Sequence, residues 1–219
     1  GGKISMPMVV RLPAGAGTGA AAQHSQSLEA VLAHMPGLKV VIPSTPYDAK
    51  GLLKTAIRDN NPVMFLEQKQ LYRIKGEVPE EEYTIPLGQA DIKREGSDVT
   101  LVTYGKMVRM CLETAKDLEK DGISAEVIDL RSLVPLDIDT VIASVKKTKH
   151  LIIVHEAVQF CGFGAEVAGQ IADSEAFYYL DAPIKRLGAM SVPIPFNPTL
   201  EREVGPTKEK IINIVKDIL

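Results

Sequence analysis

Apolar residues in this chain fall into short runs separated by longer amphipathic stretches. Met6 to Val10 reads as a short buried strand that stops at Arg11, Lys39 to Ile42 as a second closed by Pro43, and Pro62 to Leu66 as a third. Ser27 to Met35 reads as a helix. Pro46 to Arg58 reads as another, with Ala49, Leu52, Leu53, Ala56 and Ile57 on one side and a proline in the first turn, where its missing N–H costs nothing. The pattern then repeats. Val99 to Thr103 is a strand, and Met107, Val108, Cys111, Leu112, Ala115 and Leu118 make one helix face that ends at Gly122. Ala125 to Leu130 is the next strand, and Asp137 caps a helix carrying Ile138, Val141, Ile142 and Val145. Leu151 to Val154 forms a buried strand ending in His155 and Glu156, and Gly162-Phe163-Gly164 opens a further helix. Ile184 to Leu187 forms the last strand, and Pro206 starts a terminal helix with Ile211, Ile214, Val215 and Ile218 on one face. Strands alternating with helices of ten to fifteen residues predict βαβ units and parallel sheets, hence an α/β fold.

The two series are separated by residues 75–94, an acidic, proline-containing stretch that reads as a solvated connector with an edge strand at Gln89 to Lys93. This divides the chain into 1–74, the linker 75–94, and 95–219. A hydrophobic content of 45% over 219 residues supports a real core. The net charge of −3 gives no case for nucleic acid, and no stretch approaches a membrane span. Cys111 falls on the apolar face of its helix, Cys161 precedes a glycine turn without zinc spacing, and a reducing compartment follows. Gly1-Gly2-Lys3 lacks both an initiator methionine and a signal peptide, so the chain reads as truncated at its start.

The most chemical stretch is Gly15-Ala16-Gly17-Thr18-Gly19-Ala20-Ala21-Ala22-Gln23-His24-Ser25-Gln26, a small-residue loop from strand to helix that holds one histidine. Its glycines invite a dinucleotide reading. The spacing fails, because Ala20 stands at the third glycine position and no acid ends the next strand. Gly162 and Gly164 are explained by close strand–helix packing. His34 reads as structural inside a helix, His150 as a surface residue, and His155 with Glu156 as a polar pair bordering a domain interface. His24, on the loop, is the candidate for proton chemistry or substrate contact. The helix end at Ala56-Ile57-Arg58-Asp59-Asn60-Asn61-Pro62 offers carbonyl and carboxylate oxygens that suit either an ordinary cap or a hard monovalent cation.

Taken together, Pro7-Met8-Val9-Val10-Arg11, Ala21-Ala22-Gln23-His24-Ser25-Gln26, Pro36-Gly37-Leu38-Lys39-Val40-Val41, Asp129-Leu130-Arg131-Ser132-Leu133 and Phe163-Gly164-Ala165-Glu166 resemble the β subunit of the thiamine-diphosphate-dependent 2-oxo acid dehydrogenases, pyruvate and acetoin types nearest. The resemblance covers the whole chain. It implies part of a pyrimidine-binding domain followed by a transketolase C-terminal-like domain. The glutamate that activates the cofactor has no match here. Thiamine diphosphate and magnesium would be held in the assembled α/β enzyme, with the diphosphate and metal on the α subunit. By the same match His24 is the active-site histidine. Met8, Ala56, Ile57, Asp59 and Asn61 correspond to a structural potassium site, and Asp181 to an acid that docks the acyltransferase core. The implied partners are the α subunit, a second β subunit, and the dihydrolipoyl acyltransferase core with its lipoyl domain. The implied location is the bacterial cytoplasm, or else the mitochondrial matrix. The chain alone is expected to be inactive. Two other readings compete: an assembly module that docks the core, and a transketolase-like enzyme. The second would need a basic cluster for a substrate phosphate, and near His24 only Arg11 offers a base.

Overall fold

A computed structural model describes residues 3–219; the expectation placed on Gly1 and Gly2 lies outside the described residues. Two sheets form the frame. In the first, β1 (Val9–Ala14) and β2 (Lys39–Val41) both run parallel to a central β3 (Val63–Gln68), with Val9 and Lys39 each opposite Val63. In the second, the order is β4 (Asp91–Arg94), β6 (Ala125–Asp129), β5 (Val99–Thr103), β8 (Leu151–Val158) and β9 (Lys185–Ala189), parallel except for the edge strand β4. Every residue of β3, β5 and β6 is buried, as expected of strands covered on both faces.

Helix starts follow the local chemistry. Helix α3 (Pro46–Arg58) has Thr45 as its cap, whose hydroxyl accepts from the Asp48 amide at 3.1 Å, with Pro46 in its first turn. Asp137 caps α5 (Ile138–Thr148) by accepting from the Thr140 amide at 3.2 Å, and Thr207 caps α8 (Lys208–Ile218). Helices α4 (Met107–Lys120) and α6 (Gly164–Ala172) cover the second sheet.

Several elements depart from the sequence reading. β1 does not stop at Arg11 but continues to Ala14, because its inner residues stay paired with β3 as far as Gln68. The helix expected over Ser27 to Met35 is the shorter α2 (Glu29–Ala33), and a separate turn, α1 (Ala21–His24), precedes it. His34 therefore lies at the end of α2 and is exposed. His150 is half-buried, its Nδ1 3.0 Å from the Asp98 carbonyl. Two elements gave no periodic signal: β7 (Ser132–Val134) and α7 (Pro198–Val204).

β7 joins the two units. Arg131 adopts a left-handed φ of +57°, and its amide donates to Asp129 Oδ1 at 3.0 Å. That turn takes the chain out of the second sheet, so that β7 closes the first sheet antiparallel to β2. One apolar cluster then spans both sheets, with Val40, Leu66 and Leu133 from the first, Ile42 just beyond β2, and Val102, Ile128 and Ile153 from the second. Buried charges cross the same junction. Asp48, at the start of α3, is 3.0 Å from Lys93 of β4 and 3.3 Å from Arg131. Ser44 donates to the buried Asp129, whose carboxyl is pushed up to about 7 chiefly by its loss of water.

Candidate functional site

The Gly15–Gly19 loop leaves the carboxyl end of β1, the edge at which open α/β sheets place their ligands. In this chain the loop amides are already occupied. The Ala16 amide donates to Glu156 Oε1 at 2.8 Å, and the amides of Gly17 and Gly19 donate to the two oxygens of Glu201 at 2.7 and 3.1 Å. Both acids come from the second unit and are buried. Glu156, within β8, also ion-pairs with Lys106 and accepts from Gln68 Nε2 at 2.8 Å, while Lys106 Nζ donates to the Ala16 carbonyl at 2.9 Å. Burial raises the Glu156 carboxyl above the usual range, and the Lys106 ammonium works against that rise.

Glycine is required at Gly15 and Gly17. Gly15 has φ +87°, and a Cβ there would stand 2.7 Å from Glu156 Oε2. Gly17 has φ +96°, and its Cβ would run into the Gln70 amide group, which donates to the Gly17 carbonyl at 2.7 Å. Successive amides of this kind form a concave anion site. Here that site holds protein carboxylates, so the loop offers a diphosphate no free cradle. Among the described residues no group of three or more His, Cys, Asp or Glu side chains is placed to hold a metal ion.

Beside the loop opens a cleft of about 1320 Å³ walled by Thr18, Lys69, Lys106, Met110, Arg202 and Thr207 among others. His24 is not one of its walls. It ends the single helical turn α1, which opens at the left-handed Ala21 (φ +56°), rather than lying on an irregular loop. Its backbone carbonyl accepts from Lys69 Nζ. Its imidazole is exposed and, among the described residues, makes no hydrogen bond within the chain.

The first residue of α2 is a further buried acid. Glu29 accepts from the Tyr104 hydroxyl at 3.0 Å, and the Tyr104 ring stacks on His155 with centroids 6.2 Å apart. His155 is structural. Its Nδ1 donates to the Ala157 carbonyl at 3.0 Å, burial pushes it down to about 4, and Gly162, Gly164 and Gly188 close around its ring. A Cβ at Gly164 would lie 2.7 Å from the imidazole, which gives those glycines a packing reason.

Burial pushes the Glu29 carboxyl up to about 7 from its ordinary 4.5. The folded state therefore holds a proton that the unfolded chain releases. The stability this contributes is complete below about pH 4.5 and is lost as pH rises through 7. Glu29→Gln, which keeps the acceptor for Tyr104, should lose about 3 kcal/mol less than the parent between pH 4.5 and pH 8 in urea unfolding. Identical pH profiles would contradict this.

The remaining sequence candidates separate into two places. Met8 lies beside the turn between α3 and β3: its carbonyl accepts from the Val63 amide at 2.9 Å, and that of Ala56 accepts from the Asp59 amide at 3.2 Å. Asn61 donates to Asp59 Oδ1 through its backbone and side-chain nitrogens, at 2.9 and 3.0 Å. Ile57 is exposed at the end of α3. The carboxylate of Asp59 already has a cation, the Lys39 ammonium, which holds it below the usual range despite partial burial. Asp181 stands elsewhere, exposed and 3.4 Å from Lys149. The sequence did not single out Glu29, Gln68, Tyr104, Lys106 or Glu201. A charged residue inside the apolar pattern of Ser27 to Met35 was the one available signal, and it pointed to Glu29.

Two joined parallel-stranded α/β units, with a histidine displayed where one is clamped to the other, define a transketolase-like chain. Family models match accordingly: the transketolase pyrimidine-binding domain over residues 1–75 and the transketolase C-terminal domain over 88–211. The β subunit of acetoin:2,6-dichlorophenolindophenol oxidoreductase from Bacillus subtilis is 54% identical across the whole chain, which spans 64% of that relative. The pyruvate dehydrogenase E1 component subunit beta of the same organism is 55% identical over 90% of the chain and 61% of the relative. Its 2-oxoisovalerate dehydrogenase subunit beta is 48% identical over 98% of the chain and 66% of the relative. Among solved structures, a split-gene transketolase described as an inactive beta4 tetramer superposes with a TM-score of 0.79 at 25% identity, covering the whole chain and 69% of its own. The chain belongs to the family of E1 β subunits of the 2-oxo acid dehydrogenases, whose members depend on thiamine diphosphate. It spans a little under two thirds of the length of the first relatives it matches.

Proposed function

We propose that this chain is the larger part of the β subunit of a pyruvate- or acetoin-type 2-oxo acid dehydrogenase. In that enzyme a 2-oxo acid is decarboxylated on thiamine diphosphate and the acyl group passes to a lipoyl group. The observation that carries the reading is His24, an exposed imidazole that has no hydrogen-bond partner among the described residues, at the end of a segment that both units hold. An imidazole in that setting is open to contact by groups brought from outside. The residues present do not fit the cofactor's diphosphate or a magnesium ion, because the loop amides are filled by Glu156 and Glu201. Those sites are assigned to the α subunit and to β-chain residues beyond this sequence. The division at 75–94, the pairing with a second β subunit and a cytoplasmic location belong to the same reading.

The full-length β chain mixed with an α subunit should reduce dichlorophenolindophenol in the presence of a 2-oxo acid or of acetoin, and neither subunit should do so alone. Dye reduction by the β chain alone would overturn the reading. Comparing pyruvate, acetoin and 2-oxoisovalerate in that assay assigns the substrate.

Two finer pieces have their own tests. Asp181 is read as a docking acid for the acyltransferase core because it is exposed and shares its charge with only one lysine, Lys149. Asp181→Ala should weaken binding of a basic peripheral domain by about 1–2 kcal/mol, and unchanged affinity removes it. The oxygens of Met8, Ala56, Ile57, Asp59 and Asn61 suit potassium, with Lys39 competing for Asp59. The melting temperature should be higher in potassium than in sodium chloride, and equal values exclude the site.

A further inference from the structure

We infer that Glu201 is a positioning residue for the reaction: by gripping the Gly17 and Gly19 amides with its two carboxylate oxygens, it fixes where His24 stands. The inference rests on the catalytic reading of His24. Glu201 is buried, and Oε1 and Oε2 each take one loop amide, at 2.7 and 3.1 Å. Charge-assisted bonds to two amides define both the position and the tilt of the loop. Gln70 Nε2 also holds the Gly17 carbonyl at 2.7 Å, so that Gly17 is tied down through both its amide and its carbonyl. The acid itself is held firmly. Asn197 Oδ1 accepts from the Thr199 and Leu200 amides at 2.9 and 3.3 Å and starts α7, which carries Glu201.

Only Ala20 separates Gly19 from the turn that begins at the left-handed Ala21 and ends in His24. A displacement of the loop is therefore delivered to the imidazole with little slack. Glu201 differs from the other clamp, Glu156, in one useful respect. Among the described residues it forms no ion pair with a lysine or arginine, so neutralising it strands no buried cation. Its loss should appear in the chemistry of His24 before it appears in folding.

The test is a double-mutant cycle in the full-length α/β enzyme, with transfer to an isolated lipoyl domain and dye reduction read separately. Glu201→Gln keeps one acceptor and turns an amide against the second glycine N–H. It should slow acyl transfer roughly ten- to a hundredfold, as expected of a misplacement near 1 Å, with dye reduction and thiamine diphosphate affinity retained. In a His24→Ala background the same change should slow transfer by no more than about twofold, because the two residues then act as one unit. Glu201→Asp, which keeps the charge but reaches one amide, should fall between the parent and Glu201→Gln, and it carries the cycle if Glu201→Gln does not assemble. Full additivity with His24→Ala, or wild-type transfer by Glu201→Gln, overturns the inference. Wild-type transfer by His24→Ala alone overturns instead the catalytic reading on which it rests.

Discussion

In the assembled enzyme, His24→Ala should lower acyl transfer to a lipoyl domain by about a hundred- to ten-thousandfold, the range for loss of a positioned acid–base group. Dye reduction, which does not require the lipoyl acceptor, should stay within about threefold of the parent, well inside the effect of losing such a group. The split follows from where His24 stands. Its side chain contributes nothing to the fold that another residue would miss: it is exposed, it makes no hydrogen bond among the described residues, and the residue is tied to Lys69 through its backbone carbonyl. Alanine keeps that carbonyl and suits the helical turn Ala21–His24. The melting temperature should therefore be unchanged, and a fall in transfer reports chemistry alone. A fall in both half-reactions together would place His24 at decarboxylation instead.

The largest loss of stability should come from Glu156→Ala. The carboxylate satisfies Ala16, Gln68 and Lys106 at once in a buried setting, and its removal leaves an ammonium without its partner. Breaking a buried pair in this way costs about 3–5 kcal/mol, roughly 10 °C in melting temperature for a chain of this size. Lys106→Met in the Glu156→Ala background should recover part of the loss, because the stranded charge leaves with it. Chemical denaturation measures both. A loss below about 1 kcal/mol for Glu156→Ala would mean that water, and not Glu156, satisfies the loop.

The parallel sheets were legible because their strands are continuous apolar runs between helices of the right length. Val99 to Thr103 and Ala125 to Asp129 are buried at every position. Ends were harder to read. β1 runs past Arg11 because pairing with β3 continues through Leu12, Pro13 and Ala14, and an edge strand accepts a proline that no local pattern would place there. β7 was invisible for a different reason: three residues carry no period, and their place in the first sheet depends on the left-handed turn at Arg131. The site divides along the same line. His24 could be singled out because loop and histidine are adjacent in the chain. Glu156 and Glu201, which hold that loop, are brought to it only by the packing of the second unit. The glycine spacing argued against a phosphate cradle, and nothing local to the loop could show that its amides would be taken up by acids of the protein itself.

In the proposed enzyme this chain presents the histidine and its clamp, while the cofactor's own site lies elsewhere in the assembly. Calorimetric titration of thiamine diphosphate with magnesium tests it most directly, first into this chain alone and then into the full-length β chain mixed with its α subunit. The chain alone should give no saturable heat, and the assembled enzyme a saturable isotherm. Saturable binding by the chain alone would contradict it.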